Sequence, residues 1–392
     1  MIDFAFMLQL LLIFFFGLPF AIFVLYGSII IYYNKFKKSE SSENSRTYID
    51  KSEYEPLVSI VVATHNEETI ISKKIENLLA LDYPKDKLEI IFADDSNDST
   101  PDIINEYSKR YSCVNLLRFP ERIGYSPSMI AGCKKAKGEI TLLGDAGSFL
   151  DAQAIRYFIP HFQNPEVGAV TGQDVILNSD EDVGKSENLY QKIYNFLRTA
   201  ESKIDSTFLI KGEATAVRSN LIKDLESCSA TFDTAVGLFL RNQGFKTIYD
   251  PRVKFYEYAP STHTERVHQK TIRAANLIKV MMQFKHLIFR RKYGKYGMII
   301  LPMYFSMLAV APLAILIGLL LLFPATFIIF DFAIVLWGLL GLLIVLSLVF
   351  SKQLFVMFID FEFSLVKALF EIVVKRKKFD KIDTVASTRR TE

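Results

Sequence analysis

Cysteine and histidine, which build most metal and redox sites, are scarce in this chain: 392 residues contain 3 cysteines and 5 histidines. Cys113, Cys133 and Cys228 are far apart and form no C-x-x-C pair, so the sequence predicts neither a disulfide framework nor a zinc site. A reducing, cytosolic setting fits this cysteine usage. The formal net charge of +3 is too small to indicate a nucleic-acid partner.

Several nucleotide-binding and hydrolytic signatures are missing as well. No G-x-x-x-x-G-K-S/T occurs and no G-x-G-x-x-G follows a strand pattern, which disfavours a P-loop ATPase and a Rossmann dehydrogenase. H-E-x-x-H and G-x-S-x-G are also missing, so zinc and serine hydrolases have no support.

Long apolar runs lie near both ends. Residues 1–34 are a predicted transmembrane helix, because Phe4–Tyr33 carries no charge and is long enough to cross about 30 Å of hydrocarbon. A cleaved signal peptide is the alternative, but no Lys or Arg precedes the run, which is also too long for such a peptide. The lysines that follow place the polar linker 35–55 in the cytoplasm. They are Lys35, Lys37 and Lys38.

Residues 297–350 form a predicted transmembrane hairpin, in which Met298–Phe323 and Thr326–Phe350 are separated by a turn at Pro324. Basic residues precede and follow it, so both ends face the cytoplasm and the chain has three spans. They are Arg290, Arg291, Lys292, Lys295 and Lys352.

Two amphipathic segments flank the hairpin, 266–296 on one side and 351–392, which ends in a basic tail, on the other. Apolar residues recur at helical spacing in Val267–Phe289 and Gln353–Val374, which indicates helices lying in the head-group layer. An ordinary packing helix is the alternative for each. The Lys and Arg clusters nearby favour membrane lipids as partners.

Residues 56–265 form the predicted cytoplasmic domain, where short apolar runs alternate with helical stretches. The alternation predicts an α/β fold with a mostly parallel sheet covered on both faces. Ligands of such sheets bind at the carboxyl ends of the strands. The apolar runs are Leu57–Ala63, Leu88–Ala93, Glu139–Leu143 and Val167–Thr171.

Polar and acidic residues follow three of these runs, in Thr64–Glu67, Asp94–Asp98 and Gly144–Gly147. Carboxylate and amide oxygens accept hydrogen bonds from base N–H groups and sugar hydroxyls, so the loops predict a nucleotide-sugar site. The diphosphate of such a ligand requires basic side chains or a divalent cation, Mg²⁺ or Mn²⁺. For Asp94–Asp98 alone, a turn and helix N-cap is the alternative.

These segments resemble family 2 glycosyltransferases, inverting enzymes that include membrane synthases of cellulose, hyaluronan and poly-N-acetylglucosamine. The resemblance runs from about Pro56 to Arg273 and implies the GT-A fold of nucleotide-diphospho-sugar transferases. Val58–Glu68 resembles the first nucleotide-binding element, and Glu89–Thr100 is similar to the second. The donor-binding residues that it implies are Thr64, Asn66, Glu67, Asp95 for the base with Asp94 as its substitute, Arg122 and Asp145.

Two of the implied motifs depart from the family pattern. Arg122–Tyr125 resembles an R-x-G-K segment in which Tyr125 replaces the usual lysine. Gly144–Gly147 stands where the family has D-x-D, so the resemblance assigns Asp145 to the ribose, the diphosphate and the metal. Gly147 replaces the last aspartate, and a divalent cation then needs another carboxylate or water.

A candidate base follows further along the chain, because Thr231–Thr234 resembles the T-E-D segment and places Asp233 on its last residue. Inversion needs a carboxylate that takes the acceptor's hydroxyl proton as the new bond forms. Phe232 replaces the usual acidic neighbour, and an apolar ring beside Asp233 raises its predicted pKa. A helix N-cap before Ala235–Leu240 is the alternative role.

The remaining motifs concern the acceptor and the leaving group. Lys211–Arg218 resembles the acceptor-side segment and contributes Gly212 and Glu213. Gln269–Ala274 stands where processive synthases have Q-x-x-R-W, but it lacks the tryptophan and has one extra residue. Arg273 is the predicted stabiliser of the departing diphosphate.

The sequence thus predicts a multi-pass membrane protein that transfers a sugar, with inversion, at the cytoplasmic membrane face. The donor is a nucleoside diphosphate sugar, UDP- in preference to GDP-linked, and the acceptor is a lipid-linked or glycan molecule. A processive polysaccharide synthase coupled to export is one alternative. A catalytically silent nucleotide-sugar-binding membrane protein is another, because of Gly147 and Phe232.

Overall fold

The computed structural model describes residues 4–36, 54–180, 182–223, 225, 232–260 and 262–374. Most of the predicted linker lies outside these residues, as do Thr231, Cys228 and the basic tail from 375 onward. Lys37 and Lys38, which contribute to the predicted orientation of the first span, also lie outside them.

The described chain contains one eight-stranded sheet and helices that cover it or extend from it. The strands are β1 (Val58–Thr64), β2 (Leu88–Asp94), β3 (Val114–Arg118), β4 (Ile140–Asp145), β5 (Phe149–Leu150), β6 (Val167–Ile176), β7 (Thr215–Arg218) and β8 (Lys246–Glu257). The helices are α1 (Phe4–Phe36), α2 (Ile71–Leu79), α3 (Thr100–Arg110), α4 (Tyr125–Lys135), α5 (Ala154–Phe158), α6 (Asp182–Ile204), α7 (Ser219–Ile222), α8 (Phe232–Asn242), α9 (His263–Gln283), α10 (Leu301–Phe305), α11 (Ala311–Ile328) and α12 (Phe330–Val374).

The sheet has the order β3-β2-β1-β4-β7-β6-β8-β5 and confirms the predicted α/β class. β1 pairs in parallel with β2 and β4, β2 with β3, and β6 with β8. The sheet is nevertheless mixed, because β7 runs antiparallel to β4 and β6, and β5 antiparallel to β8. The register sets Thr64 opposite Asp94 and Ala63 opposite Asp145, so three strand ends meet at one edge.

Both faces of the sheet are buried, which explains why its central strands are apolar without alternation. Ile60 and Val62 of β1 pack in one cluster with Ile71 and Ile75 of α2. Val61 points to the other face, where α4 and α8 cover the sheet.

Three helices are long and apolar enough to cross a membrane: Phe4–Phe36, Tyr296–Ile328 and Phe330–Val349. Their number and order agree with the prediction. The predicted turn at Pro324 is wrong, because Pro324 lies inside α11 and the chain turns at Ile329. The Ile329 N–H donates to the Ala325 carbonyl and the Ala333 N–H to the Ile329 carbonyl, so helical hydrogen bonds continue through this turn.

The predicted boundary at residue 350 is not a break in the structure, since α12 continues without interruption for 45 residues. Its polar residues leave the apolar span and pack on the domain. Asp360, which is 7% exposed, contacts Arg266 and His263 of α9. The segment that was predicted to be a separate interfacial helix is therefore an extension of the third span.

Helix α9 uses its apolar face as a packing helix would. Ala275, Ile278, Val280 and Met281 are buried in a cluster that also includes residues of α1, α6 and α12. Its location relative to the head-group layer stays a prediction.

Two of the membrane helices also contact the domain through a buried carboxylate, Glu201 of α6, which has 0% exposure. The hydroxyl groups of Tyr26 in α1 and Tyr304 in α10 each donate to it at 2.7 Å. Thr207 Oγ1 and the Phe208 N–H donate at 3.0 and 3.1 Å. This carboxylate, here called the Glu201 junction, therefore joins two spans to the sheet domain.

The second span is irregular around Tyr304. Two π-helical segments, Tyr296–Ile300 and Ser306–Val310, precede and follow α10. Such segments are rare, and each inserts one extra residue into the α-helical register.

Candidate active site

The loops that follow β1 and β2 bind each other through hydrogen bonds. Thr64 Oγ1 donates to Asp94 Oδ1 at 2.8 Å, and the Asn66 N–H donates to Ser96 Oγ at 2.8 Å. The Asn66 backbone has a φ of 57°, in the left-handed region that asparagine tolerates better than most residues. The Glu67 N–H donates to Thr100 Oγ1 at 2.8 Å. The two polar loops therefore form one rigid platform.

Asp94 and Asp95 are both buried at the edge of this platform, with 0% and 6% exposure. An ionised carboxylate offers about four acceptor positions. Asp94 uses them for Thr64 Oγ1, both polar groups of Ser96 and Arg118 Nη1, which forms an ion pair with it. Sequence reasoning missed Arg118, which lies at the end of β3 in register with Asp94.

Asp95 has a different set of partners. Its Oδ1 lies 2.9 Å from His65 Nδ1, and its Oδ2 accepts the N–H groups of Ile123 and Gly124 at 2.9 and 2.8 Å. Within the described residues, Asp95 therefore keeps one acceptor position while Asp94 keeps none. This difference favours Asp95 over Asp94 as the residue that meets a base.

Asp95 also fixes the start of α4. Gly124 precedes the helix with a φ of 90°, a conformation that a side chain would strain. The fixed turn exposes Arg122 to solvent and directs Tyr125 inward. The unusual tyrosine of the R-x-G-K-like segment is thus a site residue.

The Tyr125 hydroxyl lies between the donor side and the candidate base. It hydrogen-bonds Asp145, and Asp233 and Glu213 are close enough to act on it electrostatically. Burial, together with these three carboxylates, raises the pKa of Tyr125 well above its usual value, so the hydroxyl stays a hydrogen-bond donor. A Cβ on Gly212 would lie 3.1 Å from this hydroxyl and 3.5 Å from Asp233 Cβ, which explains the glycine.

A buried lysine lies beneath Asp145. Lys74 of α2 has 0% exposure, and its Nζ donates to the Ser148 carbonyl at 2.6 Å. Burial lowers the pKa of Lys74 to about 8, and the charges of Asp145 and Glu213 oppose this shift. Sequence reasoning missed this residue. The sequence feature that could have identified it is the position of this lysine on the same helical face as Ile71, Ile75 and Leu78.

Asp233 lies in the first turn of α8, half-buried, and its Oδ1 accepts the Thr234 N–H at 2.8 Å. Phe232 packs against Tyr125 with ring centroids 6.5 Å apart. Burial and the nearby Glu213 raise the pKa of Asp233, while the Thr234 N–H, Arg273 and Lys211 limit the rise. The direction agrees with the effect that the sequence assigns to the apolar neighbour.

Two basic side chains, Arg273 and Lys211, lie close enough to Asp233 to act on it electrostatically. Arg273 of α9 is accessible to solvent yet surrounded by protein atoms. This desolvation opposes its charge, but Glu213, Glu257 and Glu187 outweigh it and raise the pKa of Arg273. Lys211 precedes Gly212 and was not singled out by sequence reasoning. The structure therefore brings Asp145, Gly212, Glu213, Asp233 and Arg273 together.

A divalent cation would find few protein ligands here. No group of three or more His, Cys, Asp or Glu side chains suited to a metal occurs among the described residues. Asp145 supplies one carboxylate at the end of β4, and Gly147 has no side chain to add. The arrangement fits a cation held mainly by ligand phosphates, as Mg²⁺ often is with one or two carboxylates.

Comparison with known proteins gives a family and a fold. Residues 56–275 match a family model described as "Glycosyltransferase like family 2". The chain is 28% identical over 249 residues to poly-beta-1,6-N-acetyl-D-glucosamine synthase of Staphylococcus epidermidis, which covers 62% of this chain and 59% of the relative. It is 27% identical over 247 residues to the probable glycosyltransferase YdaM of Bacillus subtilis, covering 60% and 59%. The matched stretch thus spans less than two thirds of these relatives.

A solved structure resembles nearly the whole chain. The mannosyltransferase PcManGT from Pyrobaculum calidifontis, in complex with GDP-Man and Mn²⁺, superposes with a TM-score of 0.70 and 21% identity. The match covers 92% of this chain and 99% of the mannosyltransferase. At this identity, the similarity establishes the fold and extends it to the membrane helices.

Proposed function

The chain belongs to the glycosyltransferase family 2-like proteins and has their GT-A fold, and from that premise we propose that it is an inverting glycosyltransferase bound to the membrane. It transfers a sugar from a nucleoside diphosphate sugar, UDP-linked in preference to GDP-linked, to a lipid-linked or glycan acceptor. The predicted cytoplasmic location of the domain is part of this proposal.

The observation that carries it is the arrangement around Tyr125. A carboxyl group with a raised pKa, Asp233, lies near the tyrosine hydroxyl that also hydrogen-bonds the strand-end carboxylate Asp145. A donor held at Asp145 would therefore have a base nearby. Perturbed carboxyl groups concentrate at catalytic sites, so the raised pKa of Asp233 favours a catalyst over a silent binding protein.

The residues then take the following roles. Asp95 accepts from the base, and Asp145 faces the ribose and diphosphate. As the acceptor oxygen forms its bond to the anomeric carbon, the bond from that carbon to the diphosphate breaks, and the acceptor proton passes to the Asp233 carboxylate. The electron pair leaves with the nucleoside diphosphate, whose negative charge Arg273 stabilises.

A bound Mg²⁺ or Mn²⁺ would neutralise part of the diphosphate charge, with Asp145 as its protein ligand. Lys74 is a second source of positive charge at the same place. The Lys74 ammonium lies near Asp145, and its charge is present whether or not residue 147 carries a carboxylate. The Gly147 departure is therefore compatible with turnover.

Three spans form a small membrane domain, which favours a lipid-linked or short glycan acceptor over a polymer threaded through the same chain. The missing tryptophan in Gln269–Ala274 argues in the same direction. Processive synthesis remains the second candidate because poly-beta-1,6-N-acetyl-D-glucosamine synthases are among the relatives.

Donor binding gives the first test. Purified protein should release UDP from UDP-sugars faster than GDP from GDP-sugars, and the transferred sugar should have the inverted anomeric configuration.

Asp95→Ala should weaken nucleotide binding by about 1–3 kcal/mol, because a base N–H loses its acceptor. Calorimetry with UDP and GDP measures this. Asp102→Ala, in the first turn of α3, is the control, and equal affinities for both variants would remove Asp95 from the site.

Lys74 predicts a pH dependence. Below pH 8 its ammonium is charged; above it, Asp145 and Glu213 lose a neighbouring cation, so the KM for the donor should rise as pH passes about 8. In Lys74→Met the KM should be high at every pH and show no such rise. An unfolded lysine keeps its proton to a higher pH, so the parent should also gain stability above pH 8 relative to Lys74→Met.

The matched control is Lys73→Met, because Lys73 is exposed on the same helix. It should retain the parent's KM and its pH profile. If Lys74→Met behaves like Lys73→Met, the buried ammonium has no role in donor binding.

A further inference from the structure

The chain between α9 and the second span, residues 285–295, is here called the basic loop. It contains two short 3₁₀ turns, Lys285–Leu287 and Arg291–Tyr293. Leu287 and Tyr293 are buried, whereas the cationic side chains of the loop are exposed. The basic loop therefore has a buried apolar side and an exposed positive side. The exposed cations are Lys285, Arg290, Arg291, Lys292 and Lys295.

The positive charge of the basic loop is not neutralised by the neighbouring chain. Residues 266–330 contain no Asp or Glu. Within the part of the chain that the structure describes, Arg290, Arg291 and Lys292 form no ion pair with a carboxylate. Like charges so close in sequence repel one another, so anions from outside the chain would stabilise this arrangement.

The basic loop lies at the end of two spans. It leads directly into Tyr296–Ile328, the second apolar helix. The Lys295 ammonium lies 3.2 Å from the hydroxyl of Tyr33, which is in the last turn of α1. Lys203 of α6 donates to the Asn34 carbonyl at the same helix end, at 3.2 Å. Phospholipid head groups lie at the level where such helices leave the apolar region.

An exposed aromatic ring belongs to the same loop. Phe289 is 68% exposed and has a φ of 56°, a left-handed conformation that is uncommon for a bulky residue. The Phe289 N–H donates to the Gly297 carbonyl at 2.8 Å, which helps to fix this conformation. Met298, in the first turn of the span, is 39% exposed. The basic loop and the start of the span thus present apolar side chains beside the cations, a combination typical of interfacial segments.

The basic loop also contacts the helix that carries the candidate base. Asp233 lies in the first turn of α8, and Arg241 and Asn242 are its last residues. Arg241 Nη2 donates to the Tyr293 carbonyl at 2.8 Å, and Asn242 Oδ1 accepts the Tyr293 hydroxyl at 3.0 Å. His286 Nε2 lies 3.0 Å from the same Asn242 oxygen. Because an α-helix transmits displacement along its axis, a shift of the loop would reach Asp233.

We propose that the basic loop binds anionic phospholipid head groups of the adjacent leaflet, and that lipid bound there holds α8 in the position that sugar transfer needs. The second half of this inference rests on the proposed transferase function. Phosphodiester oxygens supply the negative charge that Arg290, Arg291 and Lys292 do not find in the described chain. Clusters of about four to eight Lys or Arg residues next to a span bind anionic lipids in this way. The location at the end of two spans favours lipid over a soluble acidic protein.

Lipid binding is measured on the full-length protein by native mass spectrometry, with phosphatidylglycerol and phosphatidylcholine as probes. Replacing Arg290, Arg291 and Lys292 together by Gln should lower the preference for phosphatidylglycerol by about 10-fold or more, because each cation contributes about fivefold near an anionic surface. The matched control removes three exposed cations from α3 and α4, and it should retain the parent's preference. Its substitutions are Lys109→Gln, Arg110→Gln and Lys134→Gln.

The effect on transfer is measured in nanodiscs. The parent should transfer sugar about 10-fold faster in discs that contain phosphatidylglycerol than in phosphatidylcholine alone, since a small misplacement of a catalytic group can cost up to about 10²-fold. The triple variant of the basic loop should have the slow rate in both discs. Asn242→Ala should retain the preference for phosphatidylglycerol and lose most of the acceleration, because it removes two contacts between α8 and the basic loop.

Thermal stability in detergent separates a lipid-binding role of Phe289 from a packing role. Phe289→Asn removes the exposed ring and introduces a residue that tolerates the left-handed backbone, so the melting temperature should stay unchanged or rise. The acceleration of this variant by phosphatidylglycerol should fall. Leu287→Asn is the matched control, and its melting temperature should fall because Leu287 is buried.

The outcomes are distinguishable. A triple variant with the parent's preference for phosphatidylglycerol would overturn the inference, as would an α3 and α4 control that loses the preference to the same extent. Equal transfer rates of the parent in both discs would overturn the link to α8. If the parent prefers phosphatidylglycerol but transfers sugar in neither disc, the proposed function fails while the lipid-binding surface stands.

Discussion

Asp233→Asn should reduce sugar transfer by about 10²–10⁴-fold while donor affinity stays within a few-fold of the parent. In the proposed mechanism, the carboxylate acts on the acceptor proton in the transition state, whereas the donor is held by the platform of Asp95 and by Asp145. Asparagine keeps the volume and can still accept the Thr234 N–H, but it cannot take a proton at neutral pH. The measurement is product formation at saturating donor beside calorimetric nucleotide binding.

The pH profile gives this prediction a second readout. Because burial and Glu213 raise the pKa of Asp233, the base is protonated at low pH and the parent rate should increase as pH rises through that pKa. Asp102→Asn is the control, since Asp102 is an exposed carboxylate in the first turn of α3. A helix cap would work equally well with asparagine, so an Asp233→Asn protein that retains transfer would return Asp233 to a structural role.

Glu201→Leu should destabilise the protein by about 3–5 kcal/mol, the largest structural effect expected of a single substitution in this chain. The change leaves two tyrosine hydroxyls, a threonine hydroxyl and a backbone N–H without their shared acceptor. All four are desolvated at the junction of α1, α10 and the domain. The measurement is the temperature at which detergent-solubilised protein loses its monodisperse elution peak.

Two further variants calibrate this result. Tyr304→Phe removes one donor and leaves the carboxylate three others, so its effect should be intermediate. Glu166→Gln alters an exposed ion pair with Lys246 and should change little. A Glu201→Leu protein as stable as Glu166→Gln would mean that packing alone attaches the membrane helices to the domain.

Sequence patterns could predict the donor side because it depends on strand ends. In a parallel arrangement, residues that follow different apolar runs must meet at one edge, so Thr64, Asp94 and Asp145 were predictable as neighbours without knowing any distance. The sequence was a weaker guide to which of Asp94 and Asp95 meets the base of the donor. It depends on which oxygens are already occupied, and Arg118, the partner that saturates Asp94, comes from a third strand.

Other features depend on contacts between residues far apart in the chain. A lysine in an amphipathic helix usually reaches solvent, and only the position of β4 explains why Lys74 is buried beside Asp145. Likewise, Asp360 suggested that the third span ends before it, because a charged residue is costly in hydrocarbon. Its partner Arg266 lies on α9, and this pairing allows α12 to continue.

Because of its two π-helical segments, the number of residues in the second span determines which face of this helix meets the domain. Each extra residue turns the rest of a helix by about 100° relative to a regular α-helix. Deleting one residue from Tyr296–Ile300 would restore the regular register and swing everything before it around the axis relative to Tyr304. The membrane would still be crossed, but the helix would join the domain through the wrong face. In related chains, a single-residue gap at this place would therefore mark a reorientation of the span.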